Sequence, residues 1–88
     1  MKTAFRKSFL RDLKKIKSRD ILDAIQEVIV QVEAAADLQQ IANLKKMSGS
    51  TGFYRIRIGD YRIGVAVEGD TVEFVRCLNR RDLYKYFP

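Results

Sequence analysis

The fold is decided by residues 53–78, which read FYRIRIGDYRIGVAVEGDTVEFVRCL. Apolar and polar residues alternate along this stretch, as they do in strands that bury one face. The pairs Gly59-Asp60 and Gly69-Asp70 interrupt the alternation and have the composition of two-residue hairpin turns. The stretch therefore predicts three antiparallel strands, joined in sequence order as a meander.

The residues before this stretch predict one more strand and two helices. Lys2–Arg6 has the pattern of a short opening strand. Ser8 and Asp20 are the expected N-caps of the two helices, and the short link between the helices predicts an antiparallel hairpin. Apolar residues recur at helical spacing in each, first at Phe9, Leu10, Leu13 and Ile16, then at Ile21, Leu22, Ile25, Val28, Ile29 and Val32.

A short third helical segment should begin at Asp37, because Gln40 follows three residues later as in a capping box. Residues 45–52 have the composition of a basic, flexible loop. The order strand, helix, helix, three strands predicts an α+β fold. We expect one domain spanning residues 1–88, with an antiparallel sheet whose one face is covered by the helical hairpin and whose other face is free.

Composition excludes several classes of function. The 88 residues contain no histidine and one cysteine, Cys77. Catalysis by Ser-His-Asp or Cys-His groups, histidine metal sites, structural zinc sites and internal disulfides are therefore excluded. The N-terminus lacks the apolar segment of a signal peptide, and no apolar run is long enough to span a membrane. We expect a cytoplasmic protein, with Cys77 as a small buried apolar residue.

The net charge of +6 is distributed unevenly along the chain. Residues 1–19 carry eight bases and one acid, residues 20–44 carry five acids and no base, and residues 45–88 carry nine bases and five acids. The folded protein should therefore have basic and acidic sides. Such a basic surface attracts polyanions, nucleic acid above all.

The register of the predicted meander brings three arginines together. With Gly59-Asp60 as a two-residue turn, Arg57 pairs with Arg62 and Arg55 pairs with Gly64. Like charges directly opposite in a sheet are destabilising, so a bound phosphate is the simplest reason for this arrangement. Arg76 would face the core if the second turn also has two residues. A bulge or a longer turn would move it, or its aliphatic stem could stay buried while the guanidinium reaches past the core edge.

The segment Gly52–Arg62, the hairpin that follows it and the closing Asn79–Tyr84 (NRRDLY) resemble the RelE/ParE superfamily of bacterial toxins, and more narrowly its RelE branch. The resemblance extends over nearly the whole chain. It implies the toxin of a type II toxin–antitoxin pair, an endoribonuclease that cuts mRNA in the ribosomal A site. The 2′-hydroxyl would attack the adjacent phosphate and leave a 2′,3′-cyclic phosphate.

The resemblance also implies partners and working residues. The partners are a cognate antitoxin, the ribosome and mRNA, with no membrane, no metal and no cofactor. By motif, the catalytic residues are Arg55, Arg57, Arg62, Arg80 and Tyr84. Further RNA-binding residues are Lys45, Lys46, Arg76, Arg81, Lys7 and Lys14.

Some members of the family have lysine where this chain has Arg55 and Arg57. Arginine stays protonated and cannot act as a general base, so either the base lies elsewhere, with Tyr84, Lys45 and Lys46 as candidates, or the rate rests on positioning alone. Tyr84 could instead stack on an RNA base or anchor the C-terminus, where Tyr86 and Phe87 are expected to pack. Two other functions stay open: a ParE-like toxin that inhibits DNA gyrase by protein binding, and a non-toxic binding protein with the same fold.

Overall fold

The computed structural model describes residues 1–88 and has the predicted α+β organisation. Its five strands lie in the order β1-β5-β4-β3-β2. The strand β1 runs parallel to β5, and the other neighbours are antiparallel. The elements in chain order are β1 (Lys2–Phe5), α1 (Lys7–Lys14), α2 (Arg19–Ala34), a 3₁₀ turn (Leu38–Gln40), β2 (Leu44–Lys46), β3 (Phe53–Ile58), β4 (Tyr61–Glu68), β5 (Thr71–Asn79) and α3 (Arg80–Tyr86).

The sheet differs from the predicted one at both edges. It is mixed rather than purely antiparallel, because the opening strand β1 pairs with β5 after the two-helix crossover. At the other edge, Lys45 and Lys46 lie in the short strand β2 and not in a loop. Exposed lysines on a short strand are a common way to protect a sheet edge from further pairing. Because two lysines do not show the apolar alternation of a strand, the sequence pattern predicted a loop here.

The caps of both helices differ from the prediction. The N-cap of α1 is Arg6, which makes no side-chain capping bond. The Ser8 hydroxyl instead donates a hydrogen bond of 2.6 Å to the carbonyl oxygen of Val75. In α2 the cap is Ser18, whose hydroxyl accepts from the backbone N–H of Ile21, and Asp20 lies in the first turn, where its charge favours the helix dipole.

The main core lies between the helices and one face of the sheet. The helix α1 packs on β5, and α2 packs against β1 and β3. This agrees with the predicted coverage of one face by the two helices. The fully buried side chains of this core include Phe9, Ile25, Val32, Ile56, Ile63, Val65, Val72 and Phe74.

The other face of the sheet is partly covered, contrary to the prediction that it is free. The C-terminal helix α3 folds back over β4 and β5. Its Leu83 and Phe87 form a second, smaller apolar cluster with Met47. The ring of Phe87 lies directly on Gly64, where an added Cβ would be 2.7 Å from the ring atoms Cγ and Cδ2. The absence of a side chain at Gly64 therefore makes room for the end of the chain.

We expect Gly64→Ala to destabilise the protein by about 1–3 kcal/mol, because the new methyl group would push Phe87 off the sheet. Thermal unfolding would measure the loss, and trypsin cleavage after Arg81 or Lys85 would report the release of α3. The same substitution in a Phe87→Ala background should have a much smaller effect. Equal losses in the two backgrounds would show that the contact between Gly64 and Phe87 is not the cause.

A β-bulge decides where Arg76 points. Gly64 pairs with Arg76 while its neighbour Val65 pairs with Phe74, so Val75 is the extra residue in β5. The bulge moves Arg76 out of the main core, so the predicted alternative of a bulge in the last strand is confirmed. It follows that Arg76 lies in the same cross-strand row as Gly64 and Arg55.

The strand β5 extends beyond its partner β1, and α1 covers the edge that is left open. The carboxylate of Asp12 accepts a hydrogen bond of 2.9 Å from the backbone N–H of Cys77. The same carboxylate binds the Arg76 guanidinium through two bonds, Nε to Oδ2 at 2.8 Å and Nη2 to Oδ1 at 3.2 Å. Asp12 is only 4% exposed, so one buried acid joins α1 to both the backbone and a side chain of β5.

Candidate functional site

The pairing of β3 with β4 confirms the predicted register of the arginines. Arg57 lies opposite Arg62, and Arg55 lies opposite Gly64. Their side chains extend from the sheet face that carries α3, since Ile56 and Ile63 between them point into the main core. The repulsion between directly opposed like charges is therefore present in the folded protein.

The Arg62 guanidinium is held against the β3–β4 turn. Its Nη1 donates hydrogen bonds to the carbonyl oxygens of Gly59 at 2.8 Å and Tyr61 at 2.9 Å. These bonds fix the orientation of the planar group and use only part of its five donors. The other donors stay available for a ligand.

The start of α3 is attached to the same turn. The backbone N–H of Arg80 donates a hydrogen bond of 2.8 Å to the carbonyl oxygen of Asp60. The Asn79 side chain caps the helix by accepting from the N–H of Arg81 at 3.1 Å. Residues four apart share a helix face, so Arg80 and Tyr84 project together, and Leu83 and Phe87 form the buried pair.

The other predicted catalytic residues all act on the pKa of Arg62. Burial and then the charge of Arg55 lower the pKa of the Arg62 guanidinium, with further lowering by Arg57 and Arg80. Tyr84 acts in the opposite direction and raises it. The guanidinium stays protonated at neutral pH, because its ordinary pKa lies far above this range. We call Arg55, Arg57, Arg62 and Arg80 the arginine cluster.

No acidic side chain neutralises the arginine cluster. The three salt bridges of the protein join Arg6 to Glu73, Arg19 to Asp23 and Arg76 to Asp12. Glu73 of β5 is therefore engaged by Arg6 and does not neutralise the cluster. Four arginines without an acidic partner, beside a Tyr84 side chain that is 59% exposed, form a site suited to phosphate oxygens and an adjacent nucleobase.

The two lysines of β2 separate to opposite faces of the sheet. Lys45 pairs with Arg55 and shares its face, and together with Arg57 these residues line a small groove of about 210 Å³. Lys46 pairs with Tyr54 on the face of the main core. Only Lys45 of the two therefore lies beside the arginine cluster.

Arg76 differs from the cluster because its charge is paired. The hydrogen bonds to Asp12 raise the pKa of the Arg76 guanidinium. The ring of Tyr86 lies over it, with 5.8 Å between the Arg76 Cζ and the ring centroid. Tyr86 is 61% exposed, so the prediction that its side chain packs was wrong, whereas the prediction that Phe87 packs is confirmed, because Phe87 is buried. The other predicted RNA-binding residues, Arg81, Lys7 and Lys14, are exposed on α3 and α1.

The partner of Arg76 was not found from the sequence. Asp12 is the only acid among the first 19 residues, which was the available signal that it has a special role. Cys77 beside it is buried as expected. Burial, and then the charge of Asp12, raise the pKa of the Cys77 thiol to about 12. The thiol is therefore protonated and unreactive at neutral pH.

The acidic part of the chain faces away from the arginine cluster. The outer surface of α2 carries Asp23 and Glu27, and α2 packs on the sheet face opposite α3. The protein thus has the sided charge that its sequence predicts. None of its helices has the length and apolar character needed to cross a membrane.

Comparison with known proteins gives matches over nearly the whole chain. Residues 4–84 match the family described as ParE toxin of type II toxin–antitoxin system, parDE. Toxin RelE3 of Methanocaldococcus jannaschii is 40% identical over 89 residues, and the match covers 100% of both chains.

Solved structures also match most of the chain. A chain of the RelB-RelE antitoxin–toxin complex from Methanococcus jannaschii superposes with a TM-score of 0.82 at 39% identity, covering 97% of this chain and 99% of that one. The toxin–antitoxin complex RelBE2 from Mycobacterium tuberculosis gives a TM-score of 0.72 at 24% identity, over 90% of this chain and 96% of that one, which shows a shared fold.

Proposed function

Because the chain belongs to the RelE/ParE toxin superfamily and is the toxin of a type II toxin–antitoxin system, we propose that it is an endoribonuclease that cuts mRNA on the ribosome. The observation that carries the proposal is the arginine cluster, four arginines with no acidic partner gathered beside the exposed Tyr84. Such a group binds and polarises a phosphodiester. Because the proposed substrate is mRNA on the ribosome, we propose that the protein acts in the cytoplasm.

The proposed reaction is an internal transesterification. The 2′-oxygen attacks the adjacent phosphorus, the bond from phosphorus to the 5′-oxygen breaks, and the products are a 2′,3′-cyclic phosphate and a 5′-hydroxyl. The 2′-hydroxyl proton passes to a base, and the leaving 5′-oxygen receives a proton. The guanidinium groups hold the non-bridging oxygens and stabilise the charge that develops on them, so the proposal requires neither a metal nor a cofactor.

Tyr84 is the first candidate for proton transfer. Its hydroxyl comes from the same helix face as Arg80 and lies in the field of Arg62. Lys45 is the second candidate, because it stands beside Arg55 on the same face. Lys46 lies on the other face, so we rank it behind these two.

We expect Tyr84→Phe to lower the cleavage rate by about 10²-fold or more, because a positioned acid or base contributes this much to proton transfer. Single-turnover cleavage at saturating protein would measure the rate. Tyr54→Phe, the same change on the opposite sheet face, is the matched control. A normal rate for Tyr84→Phe together with a defect in Tyr84→Ala would assign Tyr84 to base stacking and leave Lys45 as the candidate base.

The partner of this toxin is a cognate antitoxin, as the RelB-RelE complexes among its structural relatives indicate. We propose that an acidic or amphipathic helical segment of the antitoxin covers the arginine cluster or displaces the C-terminal region. The small contact of α3 supports displacement, since only Leu83 and Phe87 bury its inner side.

Primer extension on a reporter mRNA tests the function. The purified protein is added with and without translating ribosomes. We expect in-frame cuts that depend on translation. An absence of cuts under both conditions, with folded protein, would reject the proposal.

A second candidate function is inhibition of DNA gyrase by protein binding. It is favoured by one observation, the ParE description of the family that matches residues 4–84. Such a toxin has no need for a phosphate-binding arginine cluster, so we rank it second. A DNA supercoiling assay distinguishes the two: loss of gyrase activity without RNA cleavage would support the second candidate.

A further inference from the structure

A second basic surface lies where α1 covers the open edge of β5. It is a groove of about 460 Å³, and we call it the α1 groove. Its lining residues are Ser8, Arg11, Asp12, Lys14, Lys15 and Arg76. We propose that the α1 groove and the neighbouring Tyr86 form a second nucleotide subsite, in which the bases of α1 hold a backbone phosphate of single-stranded RNA and Tyr86 stacks on a nucleobase. This inference rests on the proposed function, since it extends the same RNA beyond the arginine cluster.

The charge of the α1 groove fits a phosphate. Its one acid, Asp12, is already occupied by Arg76 and by the N–H of Cys77. Arg11, Lys14 and Lys15 make no salt bridge. Lys14 and the C-cap Lys15 lie three and four positions after Arg11, so their charges are close to that of Arg11 on the helix surface and repel it. A bound phosphate would relieve this repulsion.

Tyr86 supplies the aromatic part of the subsite. Its ring rests on the Arg76 guanidinium, which Asp12 holds through two hydrogen bonds. The side chain is nevertheless 61% exposed, so a fixed aromatic ring faces solvent beside the basic groove. Aromatic rings next to basic side chains are the arrangement by which proteins bind the splayed bases of single-stranded nucleic acid. An acidic protein segment could bind to the basic side chains alone and would not need an exposed aromatic ring. The exposed ring of Tyr86 therefore favours RNA as the ligand of the α1 groove.

The position of the subsite relative to the arginine cluster suits a single strand. Arg55, Gly64 and Arg76 lie in one row across three adjacent strands. Two strand spacings separate Arg55 from Arg76, a distance of about 10 Å. Tyr84 and Tyr86 are two positions apart on α3, so they project from nearly opposite sides of the helix, about 200° apart. A strand that crosses α3 could therefore place neighbouring nucleotides at the two sites.

Binding of a non-cleavable RNA tests this inference separately from the reaction. The probe is a fluorescein-labelled single-stranded RNA that is fully 2′-O-methylated and so lacks the nucleophile, and the readout is fluorescence anisotropy. We expect Lys15→Glu and Tyr86→Ala each to raise Kd roughly tenfold. Lys15→Glu should also reduce the slope of log Kd against log salt by about 0.7, the value for one lost phosphate contact on a single strand. Tyr86→Phe should bind like the wild type.

The control variant is Lys2→Glu, which makes the same charge change at the exposed Lys2 of β1. Unfolding curves of every variant check that each protein is folded. Variants that bind as tightly as this control would overturn the inference, and so would a wild type that does not bind the probe. If the variants bind the RNA normally but are no longer inhibited by the antitoxin, the inference is also overturned, in favour of an acidic protein partner. If the expected losses of binding occur in a protein that does not cut mRNA, the proposed function fails and the subsite stands.

Discussion

Arg62→Ala is expected to reduce RNA cleavage by about 10²–10³-fold, the usual effect of removing one fixed donor from a charge-stabilising site. The guanidinium is oriented by two turn carbonyls and surrounded by Arg55, Arg57 and Arg80. Its removal takes away the proposed contact to the phosphate but also relieves repulsion among like charges. The variant should therefore stay folded. Single-turnover cleavage and thermal unfolding, measured on the same samples, test both expectations.

Two further variants make this test specific. Arg62→Lys keeps the charge but loses the planar fork that binds two phosphate oxygens at once, so it should restore only part of the rate. Arg19→Ala removes an exposed arginine on the opposite side of the sheet, where it pairs with Asp23, and should cleave normally. Full activity in a folded Arg62→Ala protein would reject the assignment of the arginine cluster as the catalytic site.

Asp12→Ala is expected to have the largest effect on stability, a loss of about 3 kcal/mol in the free energy of unfolding. The substitution leaves the Arg76 guanidinium without its partner and the N–H of Cys77 without an acceptor at the edge of β5. For a domain of this size, the melting temperature should fall by roughly 10–20 °C. Differential scanning calorimetry would measure it.

The matched control is Asp23→Ala, which breaks the exposed salt bridge to Arg19. Exposed pairs of this kind contribute about 0.5 kcal/mol or less, so the control should melt close to the wild type. Asp12→Asn should fall between the two, because its amide oxygen can still accept from Cys77. If Asp12→Ala melts like Asp23→Ala, the buried acid does not hold α1 on β5.

The hairpin around Gly59-Asp60 could be predicted residue by residue. A two-residue turn leaves one register, and the alternation of side chains then assigns Arg55, Arg57 and Arg62 to one face. Local patterns also identified the opening strand and both main helices. Both predicted caps were wrong, because Ser8 donates to a distant carbonyl instead of capping its own helix and Ser18 caps α2 in place of Asp20.

Other features depended on contacts between distant parts of the chain. Arg76 could point to the core or to the surface until the bulge at Val75 determined its side. The short strand β2 had no apolar pattern of its own, because its two lysines lie at a sheet edge. The end of the chain gave no sign that Phe87 would lie on Gly64 and cover the face that was expected to be free.

The sequence by itself determined the fold class and the pairing of the sheet-face arginines, because periodicity and turn composition are local properties of the chain. Its motifs also carried the resemblance to the toxin family. Only the tertiary structure decided that Arg80 and Tyr84 join those arginines, that Asp12 pairs with Arg76 and that Tyr86 faces solvent beside α1. The physical reason is that these contacts join residues from separate elements. Their geometry depends on how α1 and α3 pack on β5, and no local pattern encodes that packing.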